Sequence, residues 1–211
     1  MITTILDHSH HFKSSRDQGN RGTCLAFAVS DINAHHHDVS EEFSVDYLCH
    51  HAAKNTPGWA GEGFELDVMF SVVLHEGQPL EHLYPYTPDN SLAPLVAPPT
   101  DLKPLFKGDV KNEIYGFDEI ITLIDNGITV GIAIAVTPSL YRPVNGVVNH
   151  DVNALVDTYH AMIATGYGEN YSSAERYLKV RNSWGSGWGL EGYAWLPKSF
   201  LNLHLIGTFR I

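Results

Sequence analysis

Cys24 opens the apolar stretch Leu25-Ala26-Phe27-Ala28 and follows Gln18 by six residues, in the run Asp17-Gln18-Gly19-Asn20-Arg21-Gly22-Thr23-Cys24. Two distant segments offer it partners: Tyr159-His160-Ala161, and Arg181-Asn182-Ser183-Trp184-Gly185-Ser186-Gly187-Trp188-Gly189. A thiol, an imidazole, a side-chain amide to hold the imidazole and a second amide to donate to a developing oxyanion are the parts of a cysteine hydrolase. A free thiol, with a pKa of about 8.5, is mostly protonated at neutral pH. A helix N-terminus and a neighbouring imidazolium can lower that value by several units.

The residues around these positions carry a wider pattern. Gln18-Gly19-x-x-Gly22-x-Cys24-x-Ala26-Phe27, Phe43-Ser44-Val45-Asp46-Tyr47-Leu48-Cys49, Gly61-Glu62-Gly63 and Tyr84-Pro85-Tyr86 stand in that order. His160-Ala161-Met162-Ile163-Ala164-Thr165-Gly166-Tyr167-Gly168 and Val180-Arg181-Asn182-Ser183-Trp184-Gly185 complete the series. From about Ser14 to about Pro197 the chain thereby resembles the papain-like cysteine peptidases, and a bacterial-type member without the usual disulfides. The resemblance implies one α+β domain over residues 1–211. It would have a helical first lobe at about 12–100, a β-rich second lobe at about 101–211 and the active-site cleft between them.

It also implies roles. Cys24 is the expected nucleophile, forming a thioester acyl-enzyme. His160 is the expected general acid and base, resting as an imidazolium beside a thiolate. Asn182 would hold the far ring nitrogen of His160, and Trp184 would shield that bond from water. The Gln18 amide and the Cys24 backbone N–H would form the oxyanion hole. Gly63 would pair its main chain with an extended peptide. Leu25 replaces the aromatic that usually follows the nucleophile, Tyr159 stands where smaller or acidic residues are common and would narrow the adjacent specificity pocket, and Arg21 occupies a place where secreted members commonly have a bridging cysteine. Only seventeen residues precede Gln18, so the chain is expected to be a processed or excised piece, or to be restrained otherwise than by an amino-terminal prosegment.

With 24 acidic against 13 basic residues the formal charge is −11, which disfavours nucleic acid and anionic lipid as partners. The longest apolar run, Ile128 to Val136, is interrupted by Thr129 and Gly131 and falls short of the roughly 18 residues a membrane span needs. Met1 to Asp7 lacks the charged start and long apolar stretch of a secretory signal, so a soluble chain is expected. Of the two cysteines one is the candidate nucleophile, which leaves Cys49 as a buried free thiol. That favours a reducing compartment such as a cytosol, with a delivered effector as another setting. Thirteen histidines raise a metal reading. His35, His36 and His37 point in different directions on a helix, and no Cys or Glu lies at a ligand interval. The histidines, including His8, His10, His11, His50 and His51, are read as solvated, and no metal or cofactor is expected.

Leu25, Ala28, Val29 and Ile32 predict a helix from Cys24 to about His37 capped by Thr23. Ser44 caps a second helix whose Tyr47 and Leu48 face inward. A third is expected from Phe64 to about Glu76, with Leu66, Met69, Phe70, Val73 and Leu74 as its stripe and Gly77 as its stop. Pro85, Pro88, Pro94, Pro98, Pro99 and Pro104 predict a strap between lobes over Tyr84 to Pro104. A helix at Phe117 to Asp125 precedes strands at Ile128–Val136, Tyr159–Tyr167, Tyr177–Asn182 and Gly192–Leu196, with a hairpin loop from Glu169 to Arg176. The expected partners are a peptide or protein substrate and a regulatory or inhibitor protein. Hydrolysis of peptide or isopeptide bonds is the leading reading. A transferase or deamidase using the same residues, and a silent peptide-binding module, are the alternatives.

Overall fold

The computed structural model describes residues 1–88 and 96–211, and Pro94 of the predicted strap lies outside them. The chain enters through strand β1 (Thr3–Asp7) and a 3₁₀ turn at Ser9–His11, then forms helices α1 (Cys24–His36), α2 (Val45–Lys54) and α3 (Leu66–His75). After the strap come β2 (Lys111–Asn112), α4 (Phe117–Asp125), β3 (Val130–Val136) and the single turn α5 (Pro138–Tyr141). Strands β4 (Thr158–Asn170), β5 (Glu175–Arg181) and β6 (Tyr193–Pro197) follow, then α6 (Lys198–His204) and β7 (Leu205–Arg210).

All strands join one antiparallel sheet in the order β2-β7-β3-β4-β5-β6, with β1 paired to β4. Strand β4 is long enough to hold β3 along Thr158–Ala164 and β1 beyond it along Gly166–Glu169, on the edge opposite β5. This α+β arrangement is the one the sequence implies. The helix at Phe117–Asp125 has its expected bounds, and Ser44 caps α2 by accepting from the Tyr47 N–H at 3.1 Å, with Tyr47 and Leu48 buried. Helix α3 begins at Leu66 rather than Phe64 and ends at His75, so it holds the whole expected stripe, of which Leu74 stays exposed. Gly77, at φ +75, ends that segment as predicted.

Helix α1 is buried nearly all round, including the polar Ser30 and Asn33. The chain itself bonds both: Ser30 Oγ donates to the Phe43 carbonyl at 3.0 Å, and Asn33 Nδ2 donates to Gln78 Oε1 at 3.0 Å, while Asn33 Oδ1 has no hydrogen-bond partner among the described residues. Two cores result. One gathers Val29, Ile32, Leu48, Cys49 and Met69 around α1, and the other gathers Ile120, Ile132, Met162, Leu178 and Phe200 around α4 and α6. Cys49 is a buried free thiol, as expected.

Two expectations need correcting. Thr23 stands at the head of α1 but does not cap it; its hydroxyl is hydrogen-bonded to Tyr86 Oη at 2.9 Å, so the first N–H groups of α1 have no side-chain cap. The histidines of the N-terminal segment are not separate solvated rings. His10 and His11 lie 4.1 Å apart between centroids, and His11 and His35 4.8 Å. His35, stacked on Phe12, is half-buried, and burial together with the neighbouring imidazoles pushes it down to about 4. Among the described residues no group of metal-binding side chains is arranged to hold an ion, and no helix is long and apolar enough to cross a membrane.

At Gly131, in β3, an added Cβ would come within 2.1 Å of the Phe209 ring, which is fully buried. Gly131→Ala is expected to lower stability by about 1–3 kcal/mol through overpacking. Gly187→Ala, where nothing lies within 4 Å, should change it by about 0.5 kcal/mol or less. Urea midpoints of the two variants against the parent check the pair, and equal midpoints would disprove the packing argument.

Candidate active site

The uncapped start of α1 delivers Cys24 to the wall of a groove of about 370 Å³. His160, Tyr159 and Ala161 from the start of β4 line the same groove, as do Gly63 and Leu25. Strand β4 is positioned there by its pairing with β3, in which Ile134 stands opposite His160.

Behind the ring, His160 Nε2 lies 2.6 Å from Asn182 Oδ1. The same oxygen accepts the Ser183 backbone N–H at 2.8 Å, which identifies it as the carbonyl end of the amide. His160 therefore carries its proton on Nε2, and Nδ1 is left with a lone pair. Trp184 covers this bond from one side, its centroid 4.5 Å from that of His160, and is held between Tyr141, stacked at 5.5 Å, and Trp188. Asn182 and Trp184 thus support His160 from behind rather than lining the groove.

Gln18 is buried and also lies outside the groove lining. Its Oε1 accepts from Ser183 Oγ at 2.7 Å, and its Nε2 donates to the Arg21 carbonyl at 2.7 Å, so one of its two amide hydrogens is already used. Segment 15–18 runs against segment 182–185. Ser15 Oγ donates to the Asn182 carbonyl at 2.5 Å, the Gln18 N–H to the Ser183 carbonyl at 2.8 Å, and the Gly185 N–H to the Arg16 carbonyl at 3.0 Å. Sequence reasoning missed Ser183, although it sits inside the Asn182-Ser183-Trp184 motif beside a residue already singled out.

It also missed a buried ion cluster. Asp31, on α1, receives Arg16 Nη2 at 2.6 Å and Arg181 Nε at 2.8 Å. Burial pushes the Asp31 carboxyl up, but the two guanidinium groups more than offset this and hold it below its ordinary value. No sequence signal marks the cluster, because Asp31 and Arg181 lie 150 residues apart.

The surroundings disfavour the charged form of both Cys24 and His160. Burial raises the Cys24 thiol above its ordinary value, and hydrogen bonds from the backbone of Ala161, Leu25 and Cys24 itself offset part of that. Burial pushes His160 down to about 4, against the hydrogen bond to Asn182, which favours the imidazolium. Burial thus favours the neutral form of each group taken singly. The physical reason is the loss of water around each buried side chain.

Comparison with known proteins places this geometry in context. A family model described as papain family cysteine protease matches residues 5–204. Pro-cathepsin H of Medicago truncatula is 27% identical over 188 residues, covering 84% of this chain and 51% of the relative. The thiol protease aleurain of Arabidopsis thaliana is 28% identical over 188 residues, covering 84% and 50%. The chain spans about half the length of these curated relatives. Among solved structures, xylellain, a cysteine protease from Xylella fastidiosa, matches with TM-score 0.75 and 18% identity over 93% of this chain and 81% of that one. A Carica candamarcensis cysteine protease in complex with E-64 matches with TM-score 0.73 and 21% identity over 99% and 98%. These likenesses show a shared fold.

Asp31→Asn would leave two guanidinium groups without their counter-charge in a buried place. It is expected to lower stability by about 3–5 kcal/mol, read from urea unfolding at neutral pH. A loss below about 1 kcal/mol would mean that the cluster does not hold the segments together.

Proposed function

The chain belongs to the papain family of cysteine proteases, and from that premise we propose that it hydrolyses peptide or isopeptide bonds through a thioester on Cys24, with His160 as general acid and base. The observation that carries the reading is the sharing of one groove by Cys24 and His160, with the Nε2 side of the ring tied to Asn182.

In the proposed reaction the Cys24 thiol proton passes to His160 Nδ1 as the sulfur attacks the substrate carbonyl carbon. The carbonyl oxygen takes the negative charge, stabilised by the Cys24 backbone N–H and by the amide hydrogen of Gln18 not used by Arg21. The C–N bond then breaks, the leaving amine takes the proton from His160, and the acyl group remains on sulfur. Water gives a proton to His160 and attacks the thioester carbon. The C–S bond breaks, and the proton returns to sulfur. Asn182 keeps the ring in one rotation throughout, and Ser183 holds Gln18 in place. The Gly63 main chain, on the groove wall, would pair with the extended substrate.

Cys24→Ala should abolish peptide cleavage and labelling by E-64 while leaving cooperative unfolding intact. Gln18→Ala should lower the acylation rate by about 10² to 10³. Single-turnover kinetics with mass analysis of the products check both. Release of ammonia without chain cleavage would replace hydrolysis of the chain by deamidation, and an unchanged rate would remove Gln18 from the mechanism.

A neutral His160 is needed to accept the thiol proton, and burial holds its pKa at about 4 instead of the ordinary 6.5. As pH falls, kcat/KM should therefore stay high through 6.5 and drop only on passing about 4. A pH–rate profile over the range in which the fold persists checks the position of the acid limb; a limb near 6.5 would contradict the effect of burial.

A further inference from the structure

We propose that Asp46 is a positioning residue for the oxyanion: through Arg21 it fixes the carbonyl that holds the Gln18 amide, and so sets where the hydrogen left for the oxyanion points. The inference rests on the peptidase reading and adds to its site a residue outside the groove.

Gln18 and Cys24 are joined by a loop with glycines at 19 and 22, the first at φ +60, and such a loop does not fix its own peptide planes. The Arg21 carbonyl is its hub. It accepts Gln18 Nε2 at 2.7 Å and the Thr23 N–H at 2.8 Å, so one oxygen binds both the candidate donor and the residue before the nucleophile. A rotation of that peptide would carry the Gln18 amide with it.

The Arg21 side chain opposes the rotation. Its Nη1 donates to Asp46 Oδ1 at 2.6 Å and to the Thr87 carbonyl at 2.8 Å, and its guanidinium lies over the Tyr86 ring at 4.6 Å. Asp46 is buried, and its other oxygen accepts the Thr87 N–H at 2.9 Å. The two oxygens of one carboxylate thus hold the start of the strap against the loop. Tyr86 closes the arrangement: its hydroxyl donates to the Gln18 carbonyl at 2.8 Å and, having no second hydrogen, accepts from Thr23 Oγ1 at 2.9 Å. The strap is itself tied down. Ser44 Oγ, at the head of α2, donates to the Tyr84 carbonyl at 2.6 Å, and Glu81 Oε1 accepts the Tyr86 N–H at 2.6 Å. Neither Asp46 nor Tyr86 lines the groove, so their effect on the reaction passes through the loop.

A misaimed donor loses part of its worth, and Asp46→Asn is expected to lower the single-turnover acylation rate by about 10- to 100-fold. Peptide affinity, titrated in a Cys24→Ala background, should stay within about 2-fold. Alkylation of Cys24 by iodoacetamide, whose transition state has no oxyanion, should also be unchanged. In Gln18→Ala protein the Asp46→Asn change should cost nothing further, because its effect passes through Gln18. Arg21→Met should match Asp46→Asn. Arg21→Lys, which keeps one nitrogen for the bonds that Nη1 makes while Nη2 has no partner, should recover most of the rate. Should Asp46→Asn unfold, Tyr86→Phe, which removes only a hydroxyl, is expected to lower acylation by about 3- to 10-fold with the same dependence on Gln18. An unchanged acylation rate, a loss of equal size with and without Gln18, or a parallel loss of alkylation overturns the inference. Hydrogen exchange of the Gln18 side-chain amide, assigned by its disappearance in Gln18→Ala, decides the case of a parent that is not acylated. Exchange accelerated by at least about 10-fold in Asp46→Asn would then sustain the positioning and sink the peptidase reading, and unchanged exchange would sink both.

Discussion

The buried carboxylate of Asp31 is the constraint on which the arrangement depends. It lies about two turns along α1 from Cys24, and its two partners are Arg16, two residues before Gln18, and Arg181, next to Asn182. One acid therefore fixes the helix that carries the thiol relative to the segments that carry the candidate oxyanion donor and the support of His160. Each guanidinium is further spoken for by carbonyls: Arg16 donates to Phe43 at 3.0 Å, and Arg181 donates to Lys13 at 2.8 Å and to Ser14 at 3.1 Å. Charges taken out of water are tolerated when bonded in this way, here with Arg16 Nε alone of the cluster's guanidinium nitrogens left without a partner, and the bonding is directional in a way that apolar contact is not. A cluster of this kind adds little net stability compared with well-packed apolar residues. What it supplies is a fixed register between segments far apart in the chain.

A second constraint follows from closing the site. Removing water from His160 lowers its pKa from 6.5 to about 4, a bias of roughly 3 kcal/mol against the imidazolium. Opposite unit charges about 4 Å apart regain about 4 kcal/mol at an effective dielectric constant of 20. Burial raises the Cys24 thiol as well, so this attraction offsets only part of the cost of separating the charges, and on the proposed reading the proton stays on sulfur until the substrate is attacked. Small fixed dipoles reduce the remaining cost. The absence of a Thr23 cap leaves the head of α1 open toward the sulfur, the backbone of Ala161 and Leu25 hydrogen-bonds to it, and Asn182 holds the other side of the ring. A capped helix would have spent one of those N–H groups on a hydroxyl.

The sequence made the local part of this legible. Period-3.6 stripes located α1 and α3, β-rich runs located β3 to β6, and Ser44 marked the start of α2 because its cap acts within three residues. Strand β1 escaped because its residues are exposed or half-buried and bear no alternation. Helix α6 and strand β7 escaped because His204 and Leu205 join them with no glycine or proline between, so neither period runs long enough to stand out. In the site, Cys24, His160 and Asn182 could be read because each sits in a compact motif. Asp31, Arg16 and Arg181 could not, since only the folded chain brings them together. The gathering of His8, His10, His11 and His35 is of the same kind: residues near in space through the pairing of β1 with β4 and invisible as neighbours along the helix.

Strand β4 explains why the groove forms where it does. Its alternate residues face opposite cores, with Ala161 and Ile163 on the α1 side and Met162 and Ala164 on the side of α4 and α6. Cys24 packs with the first core, and Trp184, which covers His160, packs with the second. The sulfur and the ring thus belong to different hydrophobic clusters and come together at the end of the strand that separates them. Each is held by a core that owes nothing to the other, while segment 15–18, running against 182–185, and the Asp31 cluster set how the two clusters stand against one another. A change confined to either core shifts one partner alone. Where the sulfur and the imidazole stand along the groove they share is therefore governed by the polar bonds across the boundary more than by the depth of either core.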